Sequence, residues 1–380
     1  MLTSVAEIIT EGRNPSEGNR DDALKLFQEA LELFQSCLDV QEFNFSRAQE
    51  QENEPPGAEP SQQQDHPNPP DPGTTSSNVS ETSETEVWAT IVEPITKDIL
   101  LDTCLAQIGT LTALCNLESS QNHPGLPWVE QYYRSTLLPK VSAYVDSPAR
   151  KHEAALENAK FTSALSDAAY RTRAIDLPTY ERELNSSFNN SEVDLASDPQ
   201  GLCDRADAEL MFNMSIEASL NSLGSSITPE GMAQLNVTRW KHLTRAVDSL
   251  TSASKLPSAK NLARIHLRRG DCELLRLKLG ETPTHYELAR KSATTLLNNA
   301  GIYYKNALAA TGTVVGFKDT GDEQKEAVVR EAVVIVLKGD GSKLRQLVTE
   351  DAGAVEGELE DMRGDGLLGV EAWERIRGLV

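Results

Sequence analysis

Apolar residues recur at the helical period along most of this chain, in segments that come in pairs. Leu101, Cys104, Leu105, Ile108, Leu111 and Cys115 fall on one face of a helix, as do Val237, Trp240, Leu243, Val247 and Leu250. Proline- and glycine-rich breaks separate the segments, and no stretch shows the strict alternation of a half-buried strand. The pattern predicts helices over 21–40, a segment after Pro94 that ends before the Ser-Ser-Gln-Asn-His-Pro-Gly break, 127–146, 150–173, 179–188 and 201–223. It predicts further helices from Thr228-Pro229-Glu230 to Pro257, and over 258–279, 284–310, 342–362 and 371–378. The valines of 328–337 would suit a buried strand, but flanking Glu326, Arg330 and Glu331 favour a helix, stopped by Gly339. Pro139 is expected to kink or divide the 127–146 helix. Each pair has an apolar face that it cannot bury alone, so neighbours must stack. The expected class is all-α, an α-solenoid of antiparallel helix pairs.

Composition agrees. Aromatic residues are only 5% of the chain and small residues are plentiful, which suits close helix packing better than a β-sandwich. Ala155, Ala159, Thr162, Leu165 and Ala169 form a stripe of mostly small residues, which lets a neighbouring helix approach closely.

One stretch departs from the pattern. From about Ala48 to Glu86 the chain is mostly Gln, Glu, Pro, Ser, Thr and Asn, with Val79 its sole large apolar residue, and no Lys or Arg occurs between Arg47 and Lys97. Such a segment cannot bury enough apolar surface to offset its ordering entropy, so 48–86 is expected to be a disordered acidic insertion. It is either an arm that contacts a basic partner or an inert insertion. The chain then divides into a first helix pair (1–47), the insertion, helical repeats (87–310) and C-terminal helices with an acidic tail (311–380).

The first pair carries a family signature. Gly18-x4-Ala23-x3-Phe27-x2-Ala30 resembles the second half of a tetratricopeptide (TPR) repeat. There the small residues let the two helices of a repeat touch, and the Phe plugs the next repeat. The first half departs from the family pattern: Thr10-Glu11-Gly12 stands where a Leu-Gly pair is usual, and Asn14-Pro15 inserts early. Later pairs match in size but keep few consensus residues. The resemblance implies a right-handed superhelix that binds another protein, as TPR-like assembly factors and ribosomal-protein chaperones do.

Charge sorts the partners. The net charge of −22 opposes nucleic acid and anionic membranes and favours a basic protein client, such as a ribosomal protein. The exception is Lys255–Lys305, with ten Lys or Arg against four acids. Lys260-x3-Arg264 resembles the clamp by which TPR co-chaperones hold the acidic tail of a heat-shock protein, if both cations share a helix face. A second jaw, Lys-x3-Asn on an earlier repeat, is missing from Ser4–Arg13. Arg268 and Arg269 extend the basic face. It is either a docking face for an acidic peptide or a surface neutralised by the protein's own acids. No aromatic is interleaved among Arg264, Arg268, Arg269 and Arg276 to stack an RNA base. At the other end, Glu350–Asp365 holds seven acids against Arg363 alone. Glu356, Glu358, Glu360 and Asp361 are therefore a candidate surface for a basic client, or simply a solvated helix.

No catalytic or cofactor motif is evident. The six histidines are scattered, with no HExxH and no Cys/His pair at metal spacing. His242 and His266 are expected to cap or line helices. Gly339-Asp340-Gly341-Ser342-Lys343 lacks the P-loop order. The five cysteines never form CxxC, and four of them sit in apolar helical patterns, as buried thiols of a reducing compartment would. Met1–Thr10 has no signal-peptide pattern, and no apolar run approaches the length of a membrane span. The sequence thus predicts a cytoplasmic or nuclear binding protein without enzymatic activity, metal or cofactor. The rival reading is a fixed subunit of a larger complex.

Overall fold

The computed structural model describes residues 2–9, 17–53, 94–117, 125–223, 227–312, 317 and 321–380, and among them there is no strand. The helices are α1 (Leu2–Ile9), α2 (Glu17–Asn53), α3 (Lys97–Leu117), α4 (Gly125–Tyr132), α5 (Leu138–Tyr144), α6 (Pro148–Arg171) and α7 (Leu177–Phe188). They continue as α8 (Pro199–Leu223), α9 (Pro229–Ala253), α10 (Leu262–Lys278), α11 (Glu287–Thr311), α12 (Asp322–Leu337), α13 (Ser342–Gly364) and α14 (Val370–Arg377). The valine-rich segment is therefore helical. A π-helical turn, Tyr133–Leu137, joins α4 to α5 and directly precedes Pro139, so the expected kink takes that form.

Local chemistry sets the helix starts. Ser147, Asp176 and Thr228 each accept a hydrogen bond from a backbone N–H three residues on, and each is followed by proline in the first turn. The capping oxygen satisfies a donor that the helix leaves free, and the proline has no N–H to waste there. Gly339 takes φ of +111° just past the end of α12, a conformation that favours glycine. α13 kinks at Asp351, whose carboxylate accepts from Ala354 N and so restarts the helix.

Two expectations change. α2 runs on to Asn53, so residues 48–53 are helical and the boundary at Ala48 falls too early; the rest of the 48–86 insertion lies outside the described residues. α3, at 21 residues, is long and apolar enough by length and composition to cross a membrane, contrary to expectation. Here Leu101, Cys104, Ile108, Leu111 and Cys115 are buried among α2, α5 and α6.

Consecutive helices pack on one another, and α3 with α6, α6 with α8, α10 with α12 and α12 with α14 also meet. The apolar interior follows the chain as a series of local cores. One joins α1–α6 around Phe27, Leu101 and Phe161, the next joins α6–α8 around Tyr180 and Phe212, and the last spans α8–α14. Ala6, Ala23 and Ala30 are buried, and Ala6, Ala23 and Phe27 enter the core shared with α3, while Gly18 is exposed.

Buried polar groups pin these contacts. Asp167 on α6 accepts from Tyr180 on α7 (2.7 Å), Ser215 on α8 (2.5 Å) and Arg171, whose guanidinium also reaches Cys115 O on α3 (2.7 Å). Arg330 on α12 meets Asp271 on α10 (2.5 Å), Glu326 (2.6 Å) and Glu358 on α13 (2.7 Å), while Tyr304 on α11 donates to the same Asp271. Burial opposes the Arg330 charge, but Asp271, Glu358 and Glu326 outweigh it and push its pKa well up.

Candidate peptide-binding groove

The basic face does not gather into an anion clamp. α10 begins at Leu262, and Asn261 before it caps the helix with a left-handed φ of +54°. Lys260 therefore lies ahead of the helix, exposed, and does not share a helix face with Arg264. Arg264 is held by Glu326 of α12 (2.9 Å), and Arg268 by Asp207 of α8 (3.6 Å). Arg269 lies over the Tyr303 ring at 4.0 Å and donates to His266 (3.2 Å). Burial, with Arg269 nearby, lowers the His266 pKa. The arginines that look like a docking surface in the sequence are largely neutralised by acids and rings of neighbouring helices.

The acidic C-terminal set divides as well. Glu358 is turned inward onto Arg330, and burial raises its pKa despite that cation. Glu356, Glu360 and Asp361 stay exposed, with Arg363 3.5 Å from Glu360. His242 is fully buried, stacked on Phe212 at 3.9 Å between Glu209 and Glu181, so it lines a helix contact as expected. Cys104, Cys115 and Cys272 are buried and Cys203 is half-buried. Cys37 is exposed. No group of three or more His, Cys, Asp or Glu among the described residues is arranged to hold a metal ion.

A groove stands out elsewhere. It has a volume of about 670 Å³ and lies between the π-turn with α5, the first half of α6 and the C-terminal end of α7. The α6 floor is Ala154, Ala155, Asn158, Ala159 and Thr162; Leu138, Val141 and Val145 give one apolar wall, and Ser186, Ser187 and Asn190 the other. Lys151 and Glu192 bridge at the rim (2.8 Å), both largely exposed, so their pairing is weak and exchangeable.

The hydrogen bonding of the lining is one-sided. Ser142 donates to Leu138 O (2.9 Å), Ser186 and Ser187 to Glu183 O (2.9 and 2.8 Å), and Thr162 to Asn158 O (2.8 Å). A hydroxyl has one proton, so each of these presents only lone pairs to the groove. Asn158 Oδ1 is enclosed with no donor at all. Beside donors from Tyr133, Lys151 and Asn190, the lining thus offers a set of hydroxyl acceptors over a floor of small side chains, an arrangement that suits a polypeptide carrying N–H groups and cations.

Sequence reasoning found part of this. The small stripe was legible and packs as expected: Ala155 and Ala159 are buried in one core with Tyr180, Leu184 and Phe188 of the neighbouring α7, and the edge of the stripe borders the groove. The Ser186-Ser187 wall gave no signal, because serine near a helix end is common on ordinary surfaces. No protein-family model matches the chain, nor does any curated protein or solved structure.

Proposed function

We propose that this chain is a non-catalytic protein-binding scaffold, a TPR-like right-handed superhelix that holds a segment of a basic client in the groove between α5, α6 and α7. Its leading form is an assembly chaperone or escort for a highly cationic protein, such as a ribosomal protein, in the cytoplasm or nucleus. The observation that carries this reading is the acceptor-rich lining of the groove, with the Ser142, Thr162, Ser186 and Ser187 protons committed within their own helices and Asn158 Oδ1 left without a donor. A ligand bringing lysine, arginine or free backbone N–H groups would satisfy the hydroxyl acceptors, each charge-assisted bond contributing about 1.5–3 kcal/mol. The net charge of −22 steers such a ligand toward the surface and away from nucleic acid.

The test is fluorescence anisotropy with an unstructured Lys- and Arg-rich peptide. Ser142 and Ser186 are exposed on opposite walls, so Ser142→Trp with Ser186→Trp occludes the groove without disturbing the core. The expected result is binding that weakens between about 0.05 and 0.5 M salt and is lost in the double variant. Binding that is indifferent to both salt and occlusion would remove the electrostatic groove from the account.

A further inference from the structure

The outward face of α2 is a second surface without a described occupant. α2 buries Phe27, Leu31 and Leu38 against its neighbours, yet Leu33, Val40 and Phe43 on its other side are 61, 61 and 66% exposed. These are three of the five most exposed large apolar side chains among the described residues, and they lie within eleven residues of one helix. Water contact with such side chains is unfavourable, and a concentrated apolar patch marks an interaction surface more often than scattered ones do.

Spacing selects the shape of the partner. On the exposed face Leu33, Cys37, Val40 and Asn44 follow steps of four, three and four residues, the repeat that lets one helix seat its side chains between those of another. An extended strand offers side chains at a different period and would not match it.

Charge selects the composition. The exposed residues flanking the seam include Asp22, Glu29, Glu32, Asp39 and Glu50 against Lys25 and Arg47, and Lys25 already pairs with Asp22 at 3.6 Å. Gln35 turns its amide onto Asp39 rather than onto a cation. A second copy of this chain would bring two acidic flanks together, which is unfavourable. A helix whose apolar stripe is bordered by lysine and arginine would bring the opposite charge.

We propose that the outward face of α2, with Leu33, Val40 and Phe43, forms a docking site for a basic amphipathic helix of another protein. The site is separate from the α5–α7 groove and stands without it. Its partner recognition is helix in groove, with apolar anchors at i, i+3/i+4 and i+7 and a cationic border.

The experiment uses the full chain and a roughly 20-residue Leu/Lys peptide of amphipathic helical pattern, with a control peptide of the same composition in scrambled order. Both peptides are measured on the Ser142→Trp, Ser186→Trp variant, whose groove is closed to cationic peptides, and there the expected result is that the patterned peptide binds and the scrambled one does not. Leu33→Ser, Val40→Ser and Phe43→Ser together should weaken binding at least about tenfold, because apolar anchors carry most of such contacts. These side chains are exposed, so the variant keeps its fold, checked by circular dichroism. The triple substitution is made in that groove-occluded background, so loss of binding at the α2 face is read apart from binding in the groove. Equal binding of both peptides, or no effect of the triple variant, would overturn the proposal. So would a parent chain that sediments as a dimer and a triple variant that sediments as a monomer, since the face would then serve a second copy.

Discussion

Arg330 Nη1 on α12 lies 2.5 Å from Asp271 Oδ1 on α10, and both side chains are almost wholly shut off from water. Around this contact Glu326, Glu358 and Tyr304 complete a network that ties four successive helices. A buried ion pair of this kind gives little net stability over an apolar substitute, but removing one member strands the others. Arg330→Met is therefore expected to destabilise the fold by about 3–5 kcal/mol, measured by urea denaturation. Asp271→Asn should cost less, because Glu326 and Glu358 still face the guanidinium. A loss below about 1 kcal/mol for Arg330→Met would mean that the network does not hold these helices.

Gly270 sits against the ring of Tyr304, where an added Cβ would lie 2.3 Å from Cε1. Gly270→Ala, otherwise favourable in a helix, is expected to destabilise by about 1–3 kcal/mol through overpacking. Gly357, which has nothing near it, is the control: Gly357→Ala should be neutral or slightly stabilising. Paired thermal melts distinguish the two.

Glu281 gives a pH-dependent prediction. Burial raises its pKa, neighbouring Glu371 raises it further, and its Oε2 has no donor. The folded state therefore holds a proton that the unfolded chain releases. The stability this group contributes is complete below the ordinary carboxylate range and is lost as pH rises through the raised value. Glu281→Gln removes that loss and should stabilise the protein by about 1 kcal/mol at pH 7. The gain should fade as pH falls below the ordinary carboxylate range. Melting curves across that interval check the sign, and a gain that grows at low pH would reverse it.

The thiols should separate by exposure. Cys37 is the exposed cysteine; burial pushes Cys104 up to about 12 and Cys203 up to about 11, and Cys272 is fully enclosed. A thiolate is the reactive form, so mild alkylation at pH 7 should modify one cysteine quickly, and Cys37→Ser should abolish that fast phase. Mass spectrometry reads the count.

The Lys260 and Arg264 pattern yields a negative prediction. Arg264 is engaged by Glu326 and Lys260 precedes the helix. Changing both to Ala should leave the affinity for an acidic C-terminal peptide unchanged, measured by calorimetry.

How much of this was legible in the sequence follows from what each pattern depends on. α12 could be read as helical despite its valines because Glu326 and Arg330 stand four apart, and the structure joins them at 2.6 Å. Helix starts at Ser147, Asp176 and Thr228 are local hydrogen-bond chemistry, and the Thr228-Pro229 start was read from residues alone. Arg264 was misplaced because its partner Glu326 lies 62 residues away, beyond any local pattern. Glu358 was misread for the same reason: an acidic run looks solvated until Arg330 is brought beneath it. The groove could not be read because its walls come from α5 and α7, which meet only after folding. Its floor is the edge of a stripe that serves helix packing, so the sequence shows the packing and not the groove.

Hydrogen–deuterium exchange on the full chain, with and without a saturating Lys- and Arg-rich peptide, tests the binding groove most directly. Slower exchange confined to the π-turn with α5, the first half of α6 and the residues around Ser186–Glu192 is the result this account predicts. Protection spread evenly over the acidic surface, or absent from those three segments while the peptide is bound, would contradict it.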